Sequence, residues 1–131
     1  MKRTPLARST KAIPARSRKM HALYAGPAGR RAFRVYMLNM YPACMFELYA
    51  KRCTRAAVDV HEVLSRARGG AILPTEKAIA QGQRFVTVCR IDHGIITDFP
   101  GLADSYGWSI SKGGSSTRGI AAADLTNWAE R

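Results

Sequence analysis

Two histidines and three cysteines are the residues of this chain best equipped for chemistry at neutral pH. His61 stands in the run Asp59-Val60-His61-Glu62-Val63, and His93 in Cys89-Arg90-Ile91-Asp92-His93. Two imidazoles with a neighbouring carboxylate can hold a divalent cation, and such an ion can polarise a phosphodiester and stabilise charge on its leaving oxygen. A lone histidine is more often a satisfied structural group, so the pair carries meaning only if the fold brings the two rings together. The three cysteines, Cys44, Cys53 and Cys89, are an odd number. That argues against a pure disulfide framework and leaves metal binding or core packing.

The elements that must position these groups read as strand, long loop, strand, helix. Residues 56–63 alternate and carry the β-branched valines of a strand. Gly69 and Gly70 mark the loop, and Pro74-Thr75-Glu76 opens a short helical turn. Residues 84–89 form a second alternating strand, with Phe85, Thr87 and Cys89 on one side and Arg84, Val86 and Val88 on the other. A helix follows, with Asp92 near its N-cap and Ile95 and Ile96 buried, and it ends before Pro100. Upstream, Phe33, Tyr36, Met37 and Met40 recur at helical spacing, which predicts a helix over 30–41 that packs its apolar stripe and stops at Pro42. Residues 102–106 predict another helical turn, and 121–130 a short helix with Leu125 and Trp128 on one side. Trp108 and Trp128 are expected in the core. The expected organisation is a basic arm over 1–28, an α+β domain over 29–110, and a Gly/Ser linker with a tail over 111–131.

Charge is placed unevenly. The chain has 21 Lys and Arg against 9 Asp and Glu, and ten of the basic residues precede position 35, whereas the first acid is Glu47. A cationic arm containing Lys2, Arg3 and Arg8 gains affinity for a polyanion by releasing condensed counterions, which points to nucleic acid as the partner. Residues 1–20 carry no apolar face at helical spacing, so a membrane surface is the weaker target. No apolar run approaches the roughly 20 residues of a membrane span, and no secretory leader precedes the arm, so a cytoplasmic setting is expected.

The order His61-Glu62, then Arg68-Gly69-Gly70, then Cys89, then His93 resembles the HNH family of metal-dependent endonucleases, especially its small phage and prophage members. The likeness covers about residues 30–110 and includes the segments Asp98-Phe99-Pro100 and Ala103-Asp104-Ser105-Tyr106-Gly107-Trp108. It implies a ββα-metal hairpin and helix, DNA as substrate, and a catalytic ion of the Mg2+ class held by His61 and His93. Glu62 would then stand where the family commonly places the histidine that activates water. Arg84 would stand where the middle Asn usually sits. Both are departures: a carboxylate of ordinary pKa, about 4.3, is a poorer proton acceptor than imidazole, and a guanidinium has donors only. Glu62 can instead bind the ion, leaving Asp59 or water to assist, and Arg84 can contact phosphate.

The resemblance also implies a structural Zn2+ held by Cys44, Cys53, Cys89 and Asp92. Here again the pattern is altered, with eight residues between the first two cysteines and Asp where a fourth Cys is usual. A degenerate site with thiols packed in the core is the alternative. Residues 45–52 are then an insertion that extends the preceding helix or covers a lost metal. Arg30, Arg31, Arg34, Arg66 and Arg68 are the further candidates for gripping the DNA backbone. The competing reading is a catalytically silent DNA-binding, packaging or virion protein that keeps the fold.

Overall fold

The alternation in the two central strands puts their neighbouring side chains on opposite faces of one small sheet, and everything else packs against those faces. The computed structural model describes residues 23–46 and 53–130. Strand β1 (Asp59–Glu62) runs antiparallel to β2 (Arg84–Val88), pairing His61 with Val86 and Glu62 with Phe85. A third strand, β3 (Ile120–Ala121), pairs with the other edge of β2, giving the order β1-β2-β3. The fold class is therefore α+β.

One face is covered by helix α1 (Arg30–Met40), which buries Phe33 and Met37 against Val60 and Phe85. The Phe33 ring meets Phe85 edge-on at 4.9 Å and Trp128 at 5.2 Å, so the helix is fixed by aromatic packing. The helix ends at Met40, one residue earlier than expected, because Pro42 disfavours helical geometry at the residue before it. A short helix, α2 (Glu76–Ala80), is opened by Thr75, whose hydroxyl accepts the Ala78 N–H. The other face is covered by α3 (Arg90–Asp98) and α4 (Pro100–Tyr106), whose Ile96 and Ala103 join Val63, Val86, Val88 and Trp108 in a second core. Cys89 is the N-cap of α3 with Asp92 in the first turn, and Ile96 is buried while Ile95 is half-buried.

The C-terminal segment departs from the expected linker and tail. Gly119 turns with φ +78° against the Phe85 carbonyl, β3 follows, and two short 3-10 turns bury Leu125 and Trp128 in the α1-side core. β3 is two residues long, too short to show a period in the sequence. Leu23 and Tyr24, within the stretch expected as arm, also pack against that core. Lys2, Arg3, Arg8 and most of the expected insertion, 47–52, lie outside the described residues. No helix among the described residues is long and apolar enough to cross a membrane.

Candidate functional site

Val60 joins the α1-side core, so strand geometry turns Asp59 and His61 toward α3. There His61 meets His93, from the first turns of α3, with ring centroids 5.4 Å apart. The Asp59 carboxylate lies on His93, with Oδ2 3.4 Å from Nδ1. The two histidines therefore converge as the strand–loop–strand–helix order requires.

His61 is only 7 % exposed, and its Nε2 lies 2.7 Å from the Trp108 carbonyl oxygen. A carbonyl can only accept, so Nε2 carries the proton and Nδ1 is left as the ring's acceptor. Burial, and beyond it the positive charges of His93 and Arg30, outweigh the help of that carbonyl and push the His61 pKa down to about 4. The ring is thus neutral and oriented at physiological pH. With Nε2 engaged by that carbonyl, Nδ1 is the ring atom left to accept a proton or to ligate an ion.

Glu62 faces the other way. Its carboxylate meets Arg30 of α1 at 3.1 Å, and the same guanidinium donates to the carbonyls of Val60 and Ile72. Adjacent positions of a strand point to opposite faces, so Glu62 cannot join His61 at His93 while β1 stays paired. Asp59, two residues before His61, takes that place. Arg30 is correspondingly lost as a DNA-gripping residue, because its side chain is 14 % exposed and its donors are engaged inside the protein. Arg84 likewise donates to the carbonyls of Arg118 and Gly119 and anchors the C-terminal segment to β2.

Gln83, one residue before Arg84, is a second, buried anchor beside β2. Gln83 is 1 % exposed. Its Oε1 accepts from the Leu64 and Arg84 amides, and its Nε2 donates to the carbonyls of Leu64 and Ala71. One side chain thus ties both ends of the loop that follows β1. Gly70 completes the tie, since a Cβ there would stand 1.7 Å from the Leu64 carbonyl oxygen. The sequence signal for Gln83 is an amide directly before the second strand.

The remaining expected DNA contacts lie along this loop and α1. Arg66 donates to the Tyr24 hydroxyl and lies over its ring, and Arg68 pairs with Asp104 at 2.9 Å. Arg31 is exposed on α1, and Arg34 reaches the Val58 carbonyl and, at 3.5 Å, the Asp59 carboxylate.

A second constellation sits at the N-terminus of α3. The ligand atoms of Cys44, Cys53, Cys89 and Asp92 all lie within 4.8 Å of one another, close enough to hold a metal ion. The unusual spacing of the first two cysteines is bridged by backbone pairing: Ala43 pairs with Ala56, and the Cys44 amide donates to the Arg55 carbonyl. Arg55 adopts φ +64°, and its amide donates to Cys53 Sγ. On the other side, the Asp92 amide donates to Cys89 Sγ at 3.3 Å, and Cys44 Sγ lies 3.1 Å from Asp92 Oδ2. Burial pushes the Cys89 thiol up, but the backbone amides of Asp92 and Thr54 outweigh it and the net shift is downward. Burial raises the Cys44 thiol. Asp92 is fully buried and its Oδ1 has no hydrogen-bond partner among the described residues. A buried carboxylate oxygen without a partner is costly, and a cation among these thiols satisfies it. The donor set therefore fits a metal.

No protein-family model, curated protein or solved structure matches the chain.

Proposed function

We propose that the chain is a divalent-metal-dependent DNA endonuclease of the HNH-like, ββα-metal kind, with β1, β2 and α3 as its ββα unit. The observation that carries this reading is the convergence of Asp59, His61 and His93 on one face of β1 and the start of α3. In this reading Asp59 and His93 hold an ion of the Mg2+ class, which supplies charge stabilisation at the phosphate and its leaving oxygen. His61 accepts the proton of the attacking water at Nδ1, while the Trp108 carbonyl fixes the ring through Nε2–H. The anionic phosphate opposes the positive surroundings that depress the His61 pKa and so strengthens it as a base. Glu62 has no part in the chemistry; it locks Arg30 and with it α1.

The Cys44, Cys53, Cys89 and Asp92 cluster holds Zn2+ in a structural role, since a closed four-ligand set rich in thiolate suits that ion and leaves no open position. Ordering the start of α3 in this way also orders His93, one residue after Asp92. The basic excess of the chain supports DNA as the substrate, with phosphate contacts that position rather than read sequence.

Plasmid nicking tests the reading. Metal-dependent nicking is expected with Mg2+ or Mn2+, lost in Asp59→Asn, His61→Ala and His93→Ala, and retained in Glu62→Gln. DNA binding without nicking under any metal would replace the enzyme by the silent DNA-binding reading.

A further inference from the structure

The Asp59 carboxylate has two partners on its two oxygens. Oδ2 faces His93, and Oδ1 faces the Arg34 guanidinium, 3.5 Å away. Arg34 differs sharply from Arg30, one turn earlier on α1. Arg30 is 14 % exposed and engaged by Glu62 and two carbonyls, whereas Arg34 is 49 % exposed and meets only Val58 and Asp59 among the described residues. A guanidinium has five N–H donors in a planar fork matched to carboxylate or phosphate, so most of the Arg34 donors are unused here. Its charge also sits where it repels any cation brought to Asp59, and that repulsion acts across a few ångströms.

We infer that Arg34 is a positioning residue with two anionic partners: it holds Asp59 when no ion is bound and passes to a DNA phosphate when the ion arrives. The inference rests on the nuclease reading above, because it takes Asp59 and His93 as the ion's ligands. The exchange keeps charge balanced at every stage. Without ion or DNA, Arg34 neutralises Asp59. With a divalent ion on Asp59 and His93, the released guanidinium and the ion together present excess positive charge, which a phosphate diester compensates. Metal and DNA therefore bind cooperatively, and the coupling is reciprocal. Arg34 is half-exposed, so its guanidinium can move while Phe33 and Met37 stay buried in the core.

The experiment uses the full-length protein as purified, with Mn2+ as the probe. Bound Mn2+ is counted by electron paramagnetic resonance in wild type, Arg34→Gln, Arg34→Lys and His93→Ala. Affinity for a hydrolysis-resistant phosphorothioate oligonucleotide is then measured with and without Mn2+. Arg34→Gln is expected to bind Mn2+ about tenfold more tightly than wild type, because the repulsion is removed. Arg34→Lys retains the charge and stays within about threefold of wild type. Mn2+ is expected to tighten oligonucleotide binding about tenfold in wild type and hardly at all in Arg34→Gln. If Mn2+ binding is lost in His93→Ala but is the same in Arg34→Gln as in wild type, with unchanged coupling, the exchange is wrong and the nuclease reading stands. If His93→Ala binds Mn2+ like wild type, or wild type binds none, the ion site itself is wrong and both fall.

Discussion

Replacing Gln83 by Leu keeps the volume of a 1 % exposed side chain but removes all four of its hydrogen bonds. The consequence falls on the backbone of the loop. The Leu64 N–H and C=O have Gln83 as their only partner among the described residues, and so does the Ala71 carbonyl. Leu64 is itself 2 % exposed, which leaves little access for water. Two buried groups at Leu64 stranded at about 1–3 kcal/mol each, with a smaller loss at the half-buried Ala71 carbonyl, give a net loss of about 3–5 kcal/mol. Against a typical stability of about 5–15 kcal/mol the variant remains foldable but melts roughly 10–20 °C lower. Thermal unfolding by circular dichroism measures the total, and hydrogen exchange localises it, since the Leu64 amide should lose its protection while the β2 amides keep theirs. Gln83→Glu is the instructive companion: it keeps the acceptor toward the Leu64 amide but turns a second oxygen on two carbonyls, and it should cost at least as much. A loss below about 1 kcal/mol for Gln83→Leu, or a Leu64 amide still protected, would show that something other than this amide holds the loop.

Three further outcomes follow from the geometry. Gly70→Ala should unfold or cripple the protein, costing more than about 3 kcal/mol because its Cβ meets the Leu64 carbonyl oxygen at 1.7 Å, whereas Gly94→Ala, with nothing within 4 Å, should stabilise α3 by up to about 1 kcal/mol; equal melting temperatures for the two variants would refute the distinction. Purified protein should contain about one zinc per chain by mass spectrometry, and a strong chelator should lower its melting temperature by about 10 °C or more, with Asp92→Ala losing the metal and Asp92→Cys keeping it; metal-free protein of unchanged stability would restore the packed-thiol alternative. The His61 pKa lies near 4 in the folded chain and about 6.5 unfolded, so below pH 6.5 the unfolded state binds the extra proton. This contribution to stability is complete above pH 6.5 and falls by about 3 kcal/mol as pH drops toward 4, a slope that His61→Gln should abolish in denaturant titrations without added Mg2+ or Mn2+.

How far the sequence discloses this arrangement depends on whether a feature is periodic. The α1 stripe, the alternation of β1 and β2, and the start of α3 repeat over enough residues to be read directly. The facing of single residues is a different matter. A motif match puts Glu62 beside His61 as a chemical partner, yet strand geometry sends consecutive side chains to opposite faces, and Val60 in the α1-side core decides which face is which. The period that identified the strand therefore also puts Glu62 on the face away from His93 and Asp59 on the face toward it, once the burial of Val60 is known. Gln83 escaped for a related reason: an amide acts through its reach, and a shift of one position is invisible to pattern matching but harmless to a side chain that contacts backbone on both sides of a loop.

The two clusters at α3 show why the altered residues belong together physically. Asp92 and His93 are consecutive on one short helix whose N-cap is Cys89, so whatever fixes Asp92 also fixes the direction of His93. A fourth cysteine at position 92 would bring, as a thiolate, the same single negative charge but only one ligand atom. The aspartate instead supplies one oxygen toward Cys44 and one buried oxygen that is unpaired among the described residues. That unpaired oxygen makes the start of α3 costly when empty and rigid when filled, and the cost of an empty site is borne by the turn that presents His93. Metal at the cysteines and orientation at the histidines should thus rise and fall together. A zinc-depleted protein that still binds Mn2+ at Asp59 and His93 with native affinity would separate them.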